Sequence, residues 1–385
     1  MPELLPTNLQ NLQKKMQSFI DDVLVDIESN LDPDLSQSIP NSILNEVRTR
    51  SIENGIWSLT QPSEFGGSEA NILEMTVIRE TLGQANLRIG NYIFGPQPGI
   101  LASVEGKLRE YYLLPLMKGE KRGAFAFTEP RTIPNGKPTW ASLENQELTI
   151  TGQKSFVSGG SNADFFSTLV NIESKSGTSG TAIVLIDKDS KGISIEREFR
   201  SLDGSSHISI ILDSVKVPDW HIVGEIGEGM PRALRNISNV RMAIAAKSTG
   251  LASWATHFTA EHIKQPHRSG TPLSDREGVR LRIADMLIQV YAMRSILYRT
   301  ARIANTNNVS SANEVLTAKV FCTEQVGLII DRAIDLCGGN SVIEGHPLER
   351  TYRDIRSLRF AEGASDILRL NLAKDYLESN NLVRS

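Results

Sequence analysis

Two cysteines in 385 residues, no long uninterrupted apolar run and no excess of either charge sign set the outer limits of what this chain can be. Cys322 and Cys337 exclude, in practice, a disulfide scaffold and a cysteine-built metal site. No segment holds the roughly 18 apolar residues that a membrane span needs, and the N-terminal MPELLPTNLQNLQKKMQ lacks the apolar stretch of a signal peptide. A reduced, cytoplasmic setting is therefore expected. With 41 basic and 45 acidic residues the net charge is −4, which gives no electrostatic reason to expect nucleic acid or an anionic membrane as partner. The six histidines show no ligand spacing, so no metal is expected. Glycine pairs at 66–67, 159–160 and 338–339 lack the strand-to-helix context of a nicotinamide-binding Rossmann motif.

What is present reads as a soluble globular enzyme of several regions, 40% hydrophobic and 22% charged. Residues 1–120 carry helical periodicity: Leu9, Leu12, Met16, Phe19, Ile20, Val23 and Ile27 fall on one face. Pro40-Asn41-Ser42 starts a second helix, and Asn71 to Gln84 resumes the pattern after a glycine-ended loop. Residues 121–226 change to short β-branched and aromatic runs (GAFAF, ELTITG, KSFVS, DFFSTLVNI, TAIVLID, ISIILDSVKV, HIVG), which predict a compact barrel or sandwich. Residues 227–385 return to helix. Ile283, Met286, Val290, Met293, Leu297, Ala301 and Ala304 form one stripe, and Val315, Ala318, Cys322, Ile329, Ala333 and Leu336 another. Joined by a polar turn from Asn305 to Ser311, these read as two arms of an antiparallel bundle. The expected fold is α+β, with an N-terminal helical domain, a central β-barrel or sandwich and a C-terminal four-helix bundle.

The stretch from Asp331 to Leu377 strongly resembles the end of acyl-CoA dehydrogenases. It carries Gly338-Gly339, then Pro347-Leu348-Glu349-Arg350-Thr351-Tyr352-Arg353-Asp354, Glu362-Gly363-Ala364 and Ile367-Leu368-Arg369. Phe125-Ala126-Phe127-Thr128-Glu129-Pro130 and Gly152 to Gly160 resemble the two β-domain signatures of the family. Arg268-Ser269-Gly270-Thr271-Pro272-Leu273 with Ile283-Ala284-Asp285-Met286 resembles the start of its long bundle helix. Together these cover nearly the whole chain in the family's order.

The resemblance implies that Glu362 removes the α-proton of an acyl thioester while a β-hydride passes to FAD. A partly desolvated carboxylate suits this task, because burial raises its pKa toward the working pH. Leu358, Phe360, Ala361 and Ile367 flank it as an expected apolar wall. The developing enolate oxygen also needs donors. The family supplies the backbone N–H of the glutamate and a ribityl hydroxyl of the flavin. Arg241 and Gly363 are the expected substrate-side residues. Some family branches carry the base on an earlier helix, near Asn239 or Val240, and neither residue ionises.

For the flavin, the resemblance implies contacts from Phe127, Thr128, Phe156, Ser158, Arg268, Gly338 and Gly339. Phe156 stands where the family has a tryptophan and keeps an aromatic face; Ser158 keeps a threonine's hydroxyl. Four positions depart: Pro266 and Ser269 replace the Arg and Phe of an Arg-x-x-Phe-Gly motif at the diphosphate, Asp335 replaces a Gln, and Ala364 a Thr. The Ala-Gly-Ser-Asp loop of the family is rebuilt as Arg131 to Thr139, and Ser238 replaces the Asp that contacts pantetheine.

The leading expectation is thus FAD-dependent α,β-dehydrogenation of an acyl thioester carried on CoA or an acyl carrier protein. An electron acceptor and a homodimeric or homotetrameric state accompany it. Two rivals stay open: a flavin-free isomerase, lyase or cyclase using Glu362 for proton transfer, and a non-catalytic acyl- or carrier-protein-binding subunit.

Overall fold

A computed structural model of the chain describes residues 4–32, 39–132, 136–174, 179–306 and 311–378. The chain divides into two compact units, a helical one of Met1–Gly95 with Ser238–Ser385 and a sheet unit of Pro96–Ile237.

The helical unit begins with α1 (Thr7–Phe19), which continues through a π-helical turn, Ile20–Leu24, into α2 (Val25–Ser29). Their predicted face is the buried one: Met16, Phe19, Ile20, Val23 and Ile27 enter one core with Val47 of α3 (Asn41–Glu53) and Ile78 of α4 (Ile72–Ala85). Asn71 opens α4 with a reciprocal cap. Its side chain accepts the Glu74 N–H at 3.0 Å, and Glu74 accepts the Asn71 N–H at 2.8 Å.

In the sheet unit, the short helices α5 (Gly106–Leu108) and α6 (Leu114–Lys118) precede the strands. These are β1 (Gly123–Ala126), β2 (Trp140–Glu144), β3 (Glu147–Ser158), β4 (Phe165–Ser174), β5 (Gly180–Asp187), β6 (Ile193–Arg200), β7 (Ser206–Pro218) and β8 (Ile222–Val223). They form a single sheet in the order β6-β7-β3-β2-β4-β5-β8, with β1 paired to β4. The β1–β4 and β2–β4 pairs are parallel and the rest antiparallel. Residues from β1 to β5 and from β7 share one apolar core, including Ala126, Ala141, Ile150, Phe166, Val184 and Ile210.

The structure differs from the sequence reading of the strands in two ways. ELTITG and KSFVS are one strand, β3, interrupted by register shifts against β7. The strands β2 and β6 were not predicted. Only Ala141 of β2 is buried, and β6 buries no residue, so neither shows a clean apolar alternation. Asn145 and Gln146, both at positive φ (51° and 64°), make the tight turn from β2 to β3.

The chain returns to helix with α7 (Gly229–Lys264), which belongs to the helical unit from Ser238, and continues with α8 (Glu277–Ala304) and α9 (Ala312–Cys337). Residues 307–310 of the expected polar turn lie outside the described residues. Met286, Val290, Met293 and Leu297 of α8 pack with Val315, Ala318, Cys322 and Ile329 of α9. The last helices, α10 (Pro347–Leu358) and α11 (Ser365–Glu378), both lie against α9. Two glycines let α4 and α7 cross with their backbones almost touching. A Cβ on Gly250 would meet the Glu80 carbonyl oxygen at 2.2 Å, and one on Gly83 the Lys247 carbonyl oxygen at 2.7 Å. No helix among the described residues is long and apolar enough to cross a membrane.

Candidate active site

Glu362 sits in the turn between α10 and α11 with its backbone in the left-handed region, φ 56°, followed by Gly363 at φ 110°. A glutamate costs about 1–2 kcal/mol there, so the surrounding contacts must hold it. Arg241 of α7 does so from one side, its Nε donating to the Glu362 carbonyl oxygen at 2.9 Å. The turn closes on itself through Gly363 N–H to Phe360 O (3.1 Å) and Ser365 N–H to Arg359 O (3.2 Å). Among the described residues no acceptor takes the Glu362 N–H.

The side chain is half-buried, and that burial pushes its pKa above the ordinary carboxylate value against the opposing charges of Arg241 and Lys319. The apolar wall differs from the expected one. Phe360 and Ile367 are 60% and 54% exposed, while Leu358 turns into the helical core. Beside the turn stands Leu368 instead, close enough that a Cβ on Gly363 would meet its Cδ2 at 2.8 Å.

Lys319 is the residue that sequence reasoning missed. It lies in α9 with 0% exposure, and its Nζ donates to the Arg359 carbonyl at 3.0 Å and the Gly363 carbonyl at 2.8 Å, one on each side of Glu362. Burial, helped by the charge of Arg241, lowers its pKa to about 8. The signal was present in the pattern: Val315, Lys319, Cys322 and Val326 follow helical spacing, so the lysine occupies a core position of an apolar stripe. Arg359 extends the scaffold, and Arg369 holds Glu324 in a two-pronged pair at 2.8 and 2.7 Å.

In the sheet unit the two signature segments are bound to each other. Lys154, 1% exposed, pairs with Glu129 at 2.5 Å and donates to the Phe127 carbonyl at 3.2 Å. Glu129 also accepts from the N–H and hydroxyl of Thr139 (3.2 and 3.1 Å), and the Ser155 N–H donates to the Thr128 carbonyl at 2.8 Å. The bulge after Lys154 puts Phe156 at φ 54° and leaves its ring 57% exposed, edge-on to Phe199 at 5.2 Å. That conformation is uncommon for a bulky residue and costs backbone strain. Phe127 packs near Phe125 at 5.5 Å, Thr128 is exposed, and the Ser158 hydroxyl bonds to His207 Nδ1 at 3.0 Å.

The remaining expected cofactor positions lie in the helical unit. Gly338 caps α9 at φ 77°, and among the described residues beyond their chain neighbours no atom lies within 4 Å of where a Cβ on Gly338 or Gly339 would stand. Arg268 is exposed in the turn after α7. Ser269, at an altered motif position, bonds to His267 Nδ1 at 2.8 Å and accepts from Arg276 Nη2 at 2.9 Å, so a second guanidinium reaches this turn. Asp335 is exposed and Ala364 half-buried. Of the rebuilt loop, residues 133–135 lie outside the described residues. Among the described residues no group of three or more His, Cys, Asp or Glu side chains is placed to hold a metal ion.

An arrangement of helices, one mixed sheet and helices, with a glutamate on the turn before the last helix, defines a fold shared with known proteins. Its overlap with the solved butyryl-CoA dehydrogenase of Megasphaera elsdenii has a TM-score of 0.77 at 21% identity, covering 98% of this chain and 100% of that one. Residues 227–377 match the family model for the acyl-CoA dehydrogenase C-terminal domain. The chain is 27% identical over 342 residues to the 3-(aryl)acrylate reductase of Clostridium sporogenes, covering 86% of this chain and 90% of that one. It is likewise 27% identical over 325 residues to the short-chain specific acyl-CoA dehydrogenase of Clostridium acetobutylicum, covering 82% and 85%. The family-model match and these relatives support membership of the acyl-CoA dehydrogenase family and an acyl-CoA dehydrogenase-like oxidoreductase.

Proposed function

We propose that the chain interconverts an acyl thioester and its α,β-unsaturated counterpart, with Glu362 as the group that carries the α-proton. The observation that supports this most is a half-buried carboxylate of raised pKa on a left-handed residue, its turn held by Arg241 and Lys319. A base so placed is poised nearer neutrality than a free glutamate, and its orientation is set before substrate arrives. The Glu362 N–H, without an acceptor among the described residues, is available to a thioester carbonyl oxygen, where it would stabilise developing enolate charge. Gly363 leaves room for Leu368 beside the turn, and Arg241 fixes the turn. The similar proteins are named both as dehydrogenases and as reductases. Proton transfer at Glu362 serves either direction.

Within each unit taken by itself, the residues present suit part of FAD. Phe156, Phe127, Thr128 and Ser158 offer an exposed ring and hydroxyls in the sheet unit, while Gly338, Gly339 and Arg268, with Arg276 nearby, offer glycine backbone and cations in the helical unit. When bound, FAD supplies the two-electron acceptor or donor for the β-hydride. CoA is the favoured carrier, with an acyl carrier protein as the alternative. A separate electron-transfer partner and a soluble cytoplasmic setting complete the reading. Exposed Leu281, Ile288 and Tyr291 on α8 and Leu328 on α9 support self-association into a dimer or tetramer.

Freshly purified protein should be yellow and should bleach when an acyl-CoA is added without oxygen. Colourless protein that exchanges the α-proton of a thioester with solvent would instead support the flavin-free reading, and colourless protein without exchange a binding subunit.

A further inference from the structure

The helical unit carries a concave site chemically unlike the Glu362 turn. A cavity of ≈ 80 Å³ opens between α4, the segment after it, α7 and α10, where Arg79, Arg88, Lys247 and Arg350 face a lining with one carboxylate, Asp354. That space suits a few waters or one small ion. It is too small for a nucleotide or a polymer.

Arg79 distinguishes the cavity. Its guanidinium lies over the Phe94 ring, 5.2 Å from the centroid. Burial pulls its pKa down, and no acidic group among the described residues acts in opposition. The neighbouring arginines are engaged: Arg350 faces Glu28 at 3.8 Å and donates to the Asn86 carbonyl at 2.6 Å, while Arg88 donates to the Asp32 carbonyl at 2.7 Å. A desolvated guanidinium backed by an aromatic face, among further cations, has among the described residues no counterion of the kind this environment calls for.

We propose that this cavity binds a carboxylate-sized oxyanion, with the planar donor fork of Arg79 as its principal ligand and Lys247 as a second cation. The shared chemistry admits two sources. One is a small free anion. The other is a carboxylate at the far end of an acyl chain, because Lys247 lies six residues beyond Arg241 on α7, about 9 Å along the helix axis. The second source rests on the thioester reading of Glu362, but the binding site itself does not.

Calorimetric titration of the full-length chain with glutarate and with inorganic phosphate, at constant ionic strength and against chloride, tests the site. Saturable binding is expected for at least one of them, weakened about tenfold or more by Arg79→Met and less by Arg79→Lys. No saturable binding to the wild-type chain, or unchanged affinity in a folded Arg79→Met, overturns the proposal. Should that variant fail to fold, Lys247→Met gives the same reading. The sources separate when an ω-carboxylated acyl-CoA and its uncharged counterpart of equal length are titrated. A preference for the former that Arg79→Met removes assigns the chain terminus, and free-anion binding without that preference assigns a free anion. A protein that binds glutarate yet oxidises nothing keeps this site and sinks the dehydrogenase reading.

Discussion

Lys154 in the sheet unit and Lys319 in the helical unit are equally shut off from water, at 1% and 0% exposure, yet each is accommodated differently. Lys154 meets a formal opposite charge, Glu129, and the pair fastens one signature segment to the other. Lys319 meets carbonyl oxygens, which solvate its ammonium without cancelling it. The first arrangement is a tie whose field is largely internal. The second leaves a net positive charge beside Glu362, where it also pins the turn. Burial lowers the pKa of both, opposed at Lys154 by Glu129 and taken at Lys319 to about 8. Two lysines of the same burial therefore divide into one that holds structure and one that holds structure and sets an electrostatic level.

The comparison can be broken in three ways. The largest effect belongs to the group that Lys319 serves: Glu362→Gln should lower kcat/KM by about 10²–10⁴-fold while leaving circular dichroism intact. The variant should also melt higher than the wild type above neutrality and alike below pH 4.5. A carboxylate of raised pKa destabilises the fold once ionised, and that penalty vanishes as both states protonate. Second, Lys154→Met should remove about 3 kcal/mol of stability by stranding Glu129, measured by urea unfolding, with the pH–rate profile unmoved. A shifted profile would end the division between the two lysines.

Third, Lys319→Met should cost about 1–3 kcal/mol for the two carbonyls left without donors. Loss of its charge should also move the acid limb of kcat/KM to higher pH, since that charge holds the Glu362 pKa down. Stability carries a further signature. Below pH 8 the lysine is protonated in both states and burial of the charge counts fully against the fold. Between about 8 and 10.5 the unfolded chain holds more protons, so the wild type should gain stability relative to the variant as pH rises through that window.

The order of helices, strands and helices was legible in the sequence because apolar spacing changes period near residue 121 and again near 227. The α1, α8 and α9 stripes turned inward as read. Strand β6 was not legible because it buries no residue, and the bulge in β3 was not, since a register shift leaves no compositional trace. Glu362 was singled out by its flanking motif. Its anchor was not, because Lys319 lies 43 positions away and the stripe was traced through apolar residues alone. Periodicity marks the inside of a helix. It does not say which inward residue is polar on purpose.

The bare crossing of α4 and α7 at Gly83 and Gly250 sets a gauge for the cavity beside it. Main chain abuts main chain there, so the helices that carry Arg79 and Lys247 cannot draw nearer, and a methyl group on Gly250 would drive them apart. The breadth of the gap is therefore inherited from two residues that contribute no side chain to it. Adaptation to a larger or smaller guest must proceed by trimming or lengthening the side chains along the rim.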